Sequence, residues 1–273
     1  MRSSRETQKV FKAVSQESAR FLAQLGLESL SGSFSEFNGL GTLLLEGQRL
    51  PSGEAKALWQ RVRGPARQAG WSCFLTIRSL AKLKPDAADL EADLKTLGKL
   101  KGTKWFEQAR KRAAERAKEL GAEFDEAEME EMAEMAEMAE ALADHLPPEE
   151  PTVEQAGPRF GALVRGEPGP DAHLVLYRGG PELAPIFYRF GGWNDSPKPA
   201  EQASVLRSWQ ERFGTDVAFV GADVLELVTD TPPATEDQVE AAAIEVGLFC
   251  SEASSHRANL TLVRSNCWFF WWD

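Results

Sequence analysis

Cys267-Trp268-Phe269-Phe270-Trp271-Trp272-Asp273 sets five aromatic residues in a row. In a strand, successive side chains point to opposite faces, so Trp268, Phe270 and Trp272 share one face and Phe269 and Trp271 the other. Apolar residues on both faces predict a strand covered on both sides, most simply a central one. A long aromatic edge would invite pairing with other chains. The segment is therefore expected in the core.

Upstream of it, Thr235 and Gln238 have capping-box spacing and open a helix carrying Val239, Ala242, Ala243 and Val246. Val217–Val220 and Val224–Val228 read as a hairpin through Gly221-Ala222. Pro199 to Phe213 reads as a helix with Ala203, Leu206 and Trp209 on one side, stopped by Gly214. Leu174–Tyr177 and Ile186–Phe190 read as strands. Nearer the start, apolar spacing predicts a helix over 5–25, a loop over 29–40 and a short strand at Thr42–Leu45. Ser52 then caps a helix bearing Leu58, Trp59 and Val62, interrupted at Gly64-Pro65, and Trp71–Ile77 follows as a strand. That unit favours a parallel pair joined by a right-handed crossover.

Residues 79–148 differ in texture. Leu90, Leu94, Leu97 and Leu100 lead into a basic helix from Trp105 to Leu120, which Gly121 should end. Asp125 and Glu128 then begin an acidic helix with Met129, Met132, Met135 and Met138. A short link between arms of opposite charge predicts an antiparallel hairpin, semi-independent of the body. The fold class expected is α/β (α+β), a mixed sheet with flanking helices and an inserted charged helical hairpin. The organisation expected is an N-terminal helix and βαβ-like unit over 1–78, the helical insertion over 79–148, a Pro-rich linker over 149–170 and a C-terminal domain over 171–273.

The 273 residues carry a formal net charge of -11, which argues against a general nucleic-acid binder because a polyanion is repelled. No apolar run follows Met1-Arg2-Ser3-Ser4-Arg5-Glu6, so no secretory leader is expected, and no stretch approaches the roughly 18–20 apolar residues of a membrane helix. Cys73, Cys250 and Cys267 are far apart and odd in number, which fits a reduced, cytoplasmic compartment. HExxH, GxSxG and CxxC spacings are all missing, so neither a cofactor nor a metal is expected.

Three stretches resemble the bacterial family called domain of unknown function 4253. They are Phe190-Gly191-Gly192-Trp193-Asn194-Asp195-Ser196-Pro197 with the helix bearing Leu206 and Trp209; Leu225-Glu226 with Pro232-Pro233-Ala234-Thr235 and Phe249-Cys250; and the terminal aromatic run. The likeness covers about 171–273, and Leu44 to Leu75 resembles the family's amino-terminal part. Ser196 stands where the family more often shows a cysteine, and Ser251 to Arg264 departs from its usual Cys-Pro-Asp continuation. The resemblance implies a fold but no established reaction.

The residues with the most chemistry are Trp193, Asn194 and Asp195, where an indole, an amide and a carboxylate follow two glycines. The plainer reading is a structural turn, since Asn and Asp bond local backbone and Pro197 and Pro199 launch a helix. Glu226, with Asp223 and Asp273, could gather carboxylates at one sheet end. Cys250 reads as a small buried thiol rather than a nucleophile. No catalytic set is recognisable. The expected function is a non-catalytic protein-interaction module, in particular a toxin-neutralising immunity protein, with a protein partner and neither nucleic acid nor membrane. The alternative is an enzyme using the Trp193-Asn194-Asp195 loop with carboxylates or Cys250.

Overall fold

A computed structural model of the chain describes residues 11–13, 15–29, 34–39, 42–83, 87–123, 171–250 and 256–272. The strands are β1 (Phe11–Ala13), β2 (Phe34–Gly39), β3 (Thr42–Leu50), β4 (Trp71–Thr76), β5 (Ala172–Arg178), β6 (Asp216–Val220), β7 (Val224–Val228) and β8 (Cys267–Trp271). The helices are α1 (Gln16–Gln24), α2 (Ser52–Gln68), α3 (Leu80–Leu83), α4 (Ala87–Leu97), α5 (Gly102–Glu123), α6 (Ala184–Tyr188), α7 (Pro199–Phe213), α8 (Glu236–Phe249) and α9 (His256–Arg264). The strands form one sheet in the order β1-β2-β3-β5-β4-β6-β7-β8. The α/β class and mixed sheet expected from the sequence are what the structure has.

The sheet is the middle of three layers. Alternation along β5 shows why. Val175 and Tyr177 enter one core with Phe74, Leu225, Trp268 and Phe270, beneath α4, α5, α7 and α8. Leu174 and Leu176 enter the other with Cys73 and Leu75, against α1 and α2. A strand sandwiched in this way needs apolar residues on both faces, and Ala172–Arg178 supplies them.

Several expectations fail for identifiable reasons. Strands β3 and β4 do not pair. Strand β5 lies between them, antiparallel to both, so the only parallel pair among the described strands is β4 with β6. Residues 34–39 are a strand rather than loop, paired along their whole length with β3, and Phe34 is buried in the core. Residues 11–13 pair with β2 instead of continuing a helix from residue 5, and residues before 11 lie outside the described set. Helix α2 runs through Pro65 to Gln68 and is preceded by Pro51 rather than capped by Ser52. A proline so near the end removes little of the ladder, and Ala66 beyond it is fully buried. Residues 186–190, read as a strand, instead belong to the short helix α6 and its cap. Pro185 starts that helix, and Arg189 ends it in the left-handed region at φ 60°. Gly121 does not stop α5, which reaches Glu123.

Among the described strands β8 is not central: it pairs with β7 alone and stands last in the order. The alternation of faces holds, but cover on both sides does not follow from it. Trp268, Phe270 and Trp272 are each 0% exposed, whereas Trp271 is 38% exposed. One face fills the core and the other is only half covered by it. The buried face is an aromatic cluster around Trp209, whose ring lies 5.0 Å from Phe249, 5.2 Å from Trp268 and 5.8 Å from Phe270.

The expected semi-independent arm is also corrected at its root. Leu90, Leu97, Trp105, Phe106 and Ala109 are buried in the same core as Trp209. The acidic helix, its methionines and the 149–170 linker lie outside the described residues. No described helix is long and apolar enough to cross a membrane.

Candidate functional site

The loop after α6 owes its shape to three residues with positive φ: Gly191 at 101°, Gly192 at 85° and Asn194 at 47°. The Ser196 amide donates to the Trp193 carbonyl at 2.9 Å, and the Gly192 amide donates to the Pro197 carbonyl at 3.1 Å. Fully buried Gln202, on the first turn of α7, latches the loop from beneath. Its Nε2 reaches Pro197 O at 3.0 Å, Ser196 Oγ at 3.2 Å and Phe190 O at 3.4 Å. Trp193 is half-buried, its ring 5.0 Å from Phe190 and edge-on to it. Asn194 and Asp195 are exposed. Asp195 Oδ2 accepts from Arg116 Nη1 of α5 at 3.1 Å, which ties the loop to the basic helix. These contacts support the structural-turn reading of the loop.

The carboxylates do not converge. Asp223 is exposed at the β6–β7 turn, where its carboxylate accepts from Trp271 Nε1 at 3.2 Å and its carbonyl from the Trp272 amide at 3.0 Å. Glu226 is wholly buried in the middle of β7, opposite Phe219 on β6 and Phe269 on β8. Asp273 is outside the described residues. Among the described residues no group of three His, Cys, Asp or Glu side chains is placed to hold a metal. Cys250 is buried and donates its thiol to the Trp271 carbonyl at 3.1 Å, so it packs α8 against β8. His256 lies 3.1 Å from Glu240, and His173 Nδ1 lies 3.0 Å from the Gly47 carbonyl.

Two constellations were not found from the sequence. The first is an ionic clasp. Arg63 and Arg67, one helical turn apart on α2, both reach Asp216 at the start of β6 and Asp230 beyond β7. Arg63 to Asp230 is 2.7 Å, Arg67 to Asp230 2.5 Å and Arg67 to Asp216 2.5 Å; Arg63 also bonds Asp216. Burial alone would raise the Asp230 carboxyl, but hydrogen bonds from Arg67 and Arg63 reverse this and hold it below its usual range. The clasp pins α2 to the far half of the sheet. An R-x₃-R pattern on a helix is visible in sequence, but acidic partners some 150 residues away are not.

The second lies outside the carboxyl ends of the parallel strands β4 and β6, the place where open sheets most often take ligands. Thr76 ends β4, and exposed Arg78 follows it. Asp223 lies just beyond β6. Tyr188, at the end of α6, is 4% exposed. Burial raises its phenol, the Thr76 hydroxyl and the Arg78 guanidinium act the other way, and Asp223 adds to the rise, so these four groups sense one another. The phenol stays neutral at pH 7 and can donate. Thr76 Oγ1 is engaged with the Arg78 backbone at 3.3 Å and also faces the Tyr188 hydroxyl. Trp272 Nε1, in the core, makes no hydrogen bond. Sequence reasoning missed Tyr188 because its segment was read as a strand.

Comparison with curated proteins and with solved structures finds no match. A family model does match, over residues 178–273, which hold the latched loop, helices α6 to α9 and strands β6 to β8. That carboxyl-terminal part of the chain is similar to the family described as domain of unknown function (DUF4253).

Proposed function

We propose that the protein is a non-catalytic interaction module of the bacterial cytoplasm, and that neutralising a toxin, as an immunity protein does, is the specific form of that interaction. The observation that carries the reading is the outer half of α5. Trp105, Phe106 and Ala109 root this helix in the core, yet every residue from Arg110 to Arg116 is exposed. A helix anchored at one end and solvated all round at the other gains little stability from its outer turns, which suits them to recognition. Arg110, Lys111, Arg112, Arg116 and Lys118 make it basic on a chain whose net charge is -11. A local patch of the opposite sign orients an encounter and fixes its register more than it adds affinity. The Asp195–Arg116 pair makes the Gly191–Asp195 loop part of the same surface.

The test replaces Arg110, Lys111 and Lys118 together with glutamate. These side chains are exposed, so the thermal midpoint should stay within a few degrees of wild type. A stoichiometric protein that co-purifies with the wild-type chain should be lost from the variant, and the wild-type complex should weaken with added salt. A partner retained at wild-type level by the variant would refute this surface. A wild-type chain that turns over a metabolite and retains no partner would move the protein to the enzyme class.

A further inference from the structure

We draw no further inference here: the strongest candidate, the outer edge of β8 beside the 38% exposed Trp271, carries nothing, because the Cys267 and Trp271 carbonyls already accept from the Ser265 hydroxyl and the Cys250 thiol and nothing in the structure shows what covers the rest.

Discussion

Gly191 and Gly192 are adjacent, both have positive φ, and their replacement by alanine should have unequal effects. At Gly192, φ is 85° and a Cβ would meet nothing closer than the flexible Lys198 side chain at 3.7 Å. Gly192→Ala therefore bears only the conformational cost of a left-handed L-residue, about 1–2 kcal/mol. At Gly191, φ is 101° and a Cβ would sit 2.1 Å from the Pro197 carbonyl oxygen and 2.2 Å from Gln202 Nε2. The carbonyl is backbone and cannot turn away, so the amide latch must move as well. Losing its bonds to Phe190, Ser196 and Pro197 adds about 0.5–1.5 kcal/mol for each good bond, and the 3.4 Å contact counts for least. Gly191→Ala should thus cost about 3–4 kcal/mol, roughly twice the cost of its neighbour. Urea unfolding with a common slope measures both. In a Gln202→Ala background the gap between the two glycine variants should shrink, because the latch is already gone. Equal losses for both glycines, or an unchanged gap in that background, would refute the latch as the reason for the loop's shape.

Three further outcomes are expected. Trp268→Ala should destabilise by about 3–5 kcal/mol by emptying the space beside Trp209 and Phe213, and a stop after Asn266 should leave no cooperative thermal transition. Asp230→Asn should lower stability near pH 7 by about 1 kcal/mol or less, since the Asp230 side chain is 42% exposed and solvent screens the pairs. Because the folded Asp230 carboxyl lies below its unfolded value of about 3.9, the contribution is complete above that pH. The gap to wild type should therefore close as pH falls through the folded value, and a gap that persists there in acid unfolding curves would show that the clasp is not electrostatic. Trp105→Ala should cost about 3–5 kcal/mol, whereas Lys111→Ala should change thermal unfolding by less than about 0.5 kcal/mol, dividing α5 into a core root and a solvated end.

How far the fold was legible in the sequence depended on how local its causes are. The α7 and α8 helices, the β6–β7 hairpin and the Thr235 capping box were readable because caps, turns and apolar periods lie within a few residues of one another. Strand order was not. The insertion of β5 between β3 and β4 depends on pairings between residues far apart in the chain, such as Leu44 with Tyr177 and Trp71 with Arg178, and nothing within Trp71–Thr76 announces which neighbour it takes. Residues 186–190 show the same limit on a shorter scale. Ile-Phe-Tyr-Arg-Phe has strong strand propensity, yet Pro185 at the start and the left-handed Arg189 at the end make it one helical turn. Tertiary context outweighed propensity there and hid Tyr188 from view.

The aromatic run at β8 carries the same lesson into the candidate sites. Apolar residues on both faces do not require cover on both sides, because an edge strand can bury one face and leave the other half open. Trp271 does so, using Asp223 to satisfy its indole N–H at 3.2 Å. Trp272, one residue on and facing the core, has no such acceptor. Adjacent tryptophans thus meet opposite fates, one paired at the rim and one unpaired inside. Periodicity could place them on opposite faces but could not say where an acceptor lay. The loop most conspicuous in the sequence is explained by its own hydrogen bonds, whereas Tyr188, in a segment of strand propensity, is buried beside Thr76. Chemistry-rich residue types draw attention to a segment, but the fold decides whether their bonding capacity is already spent.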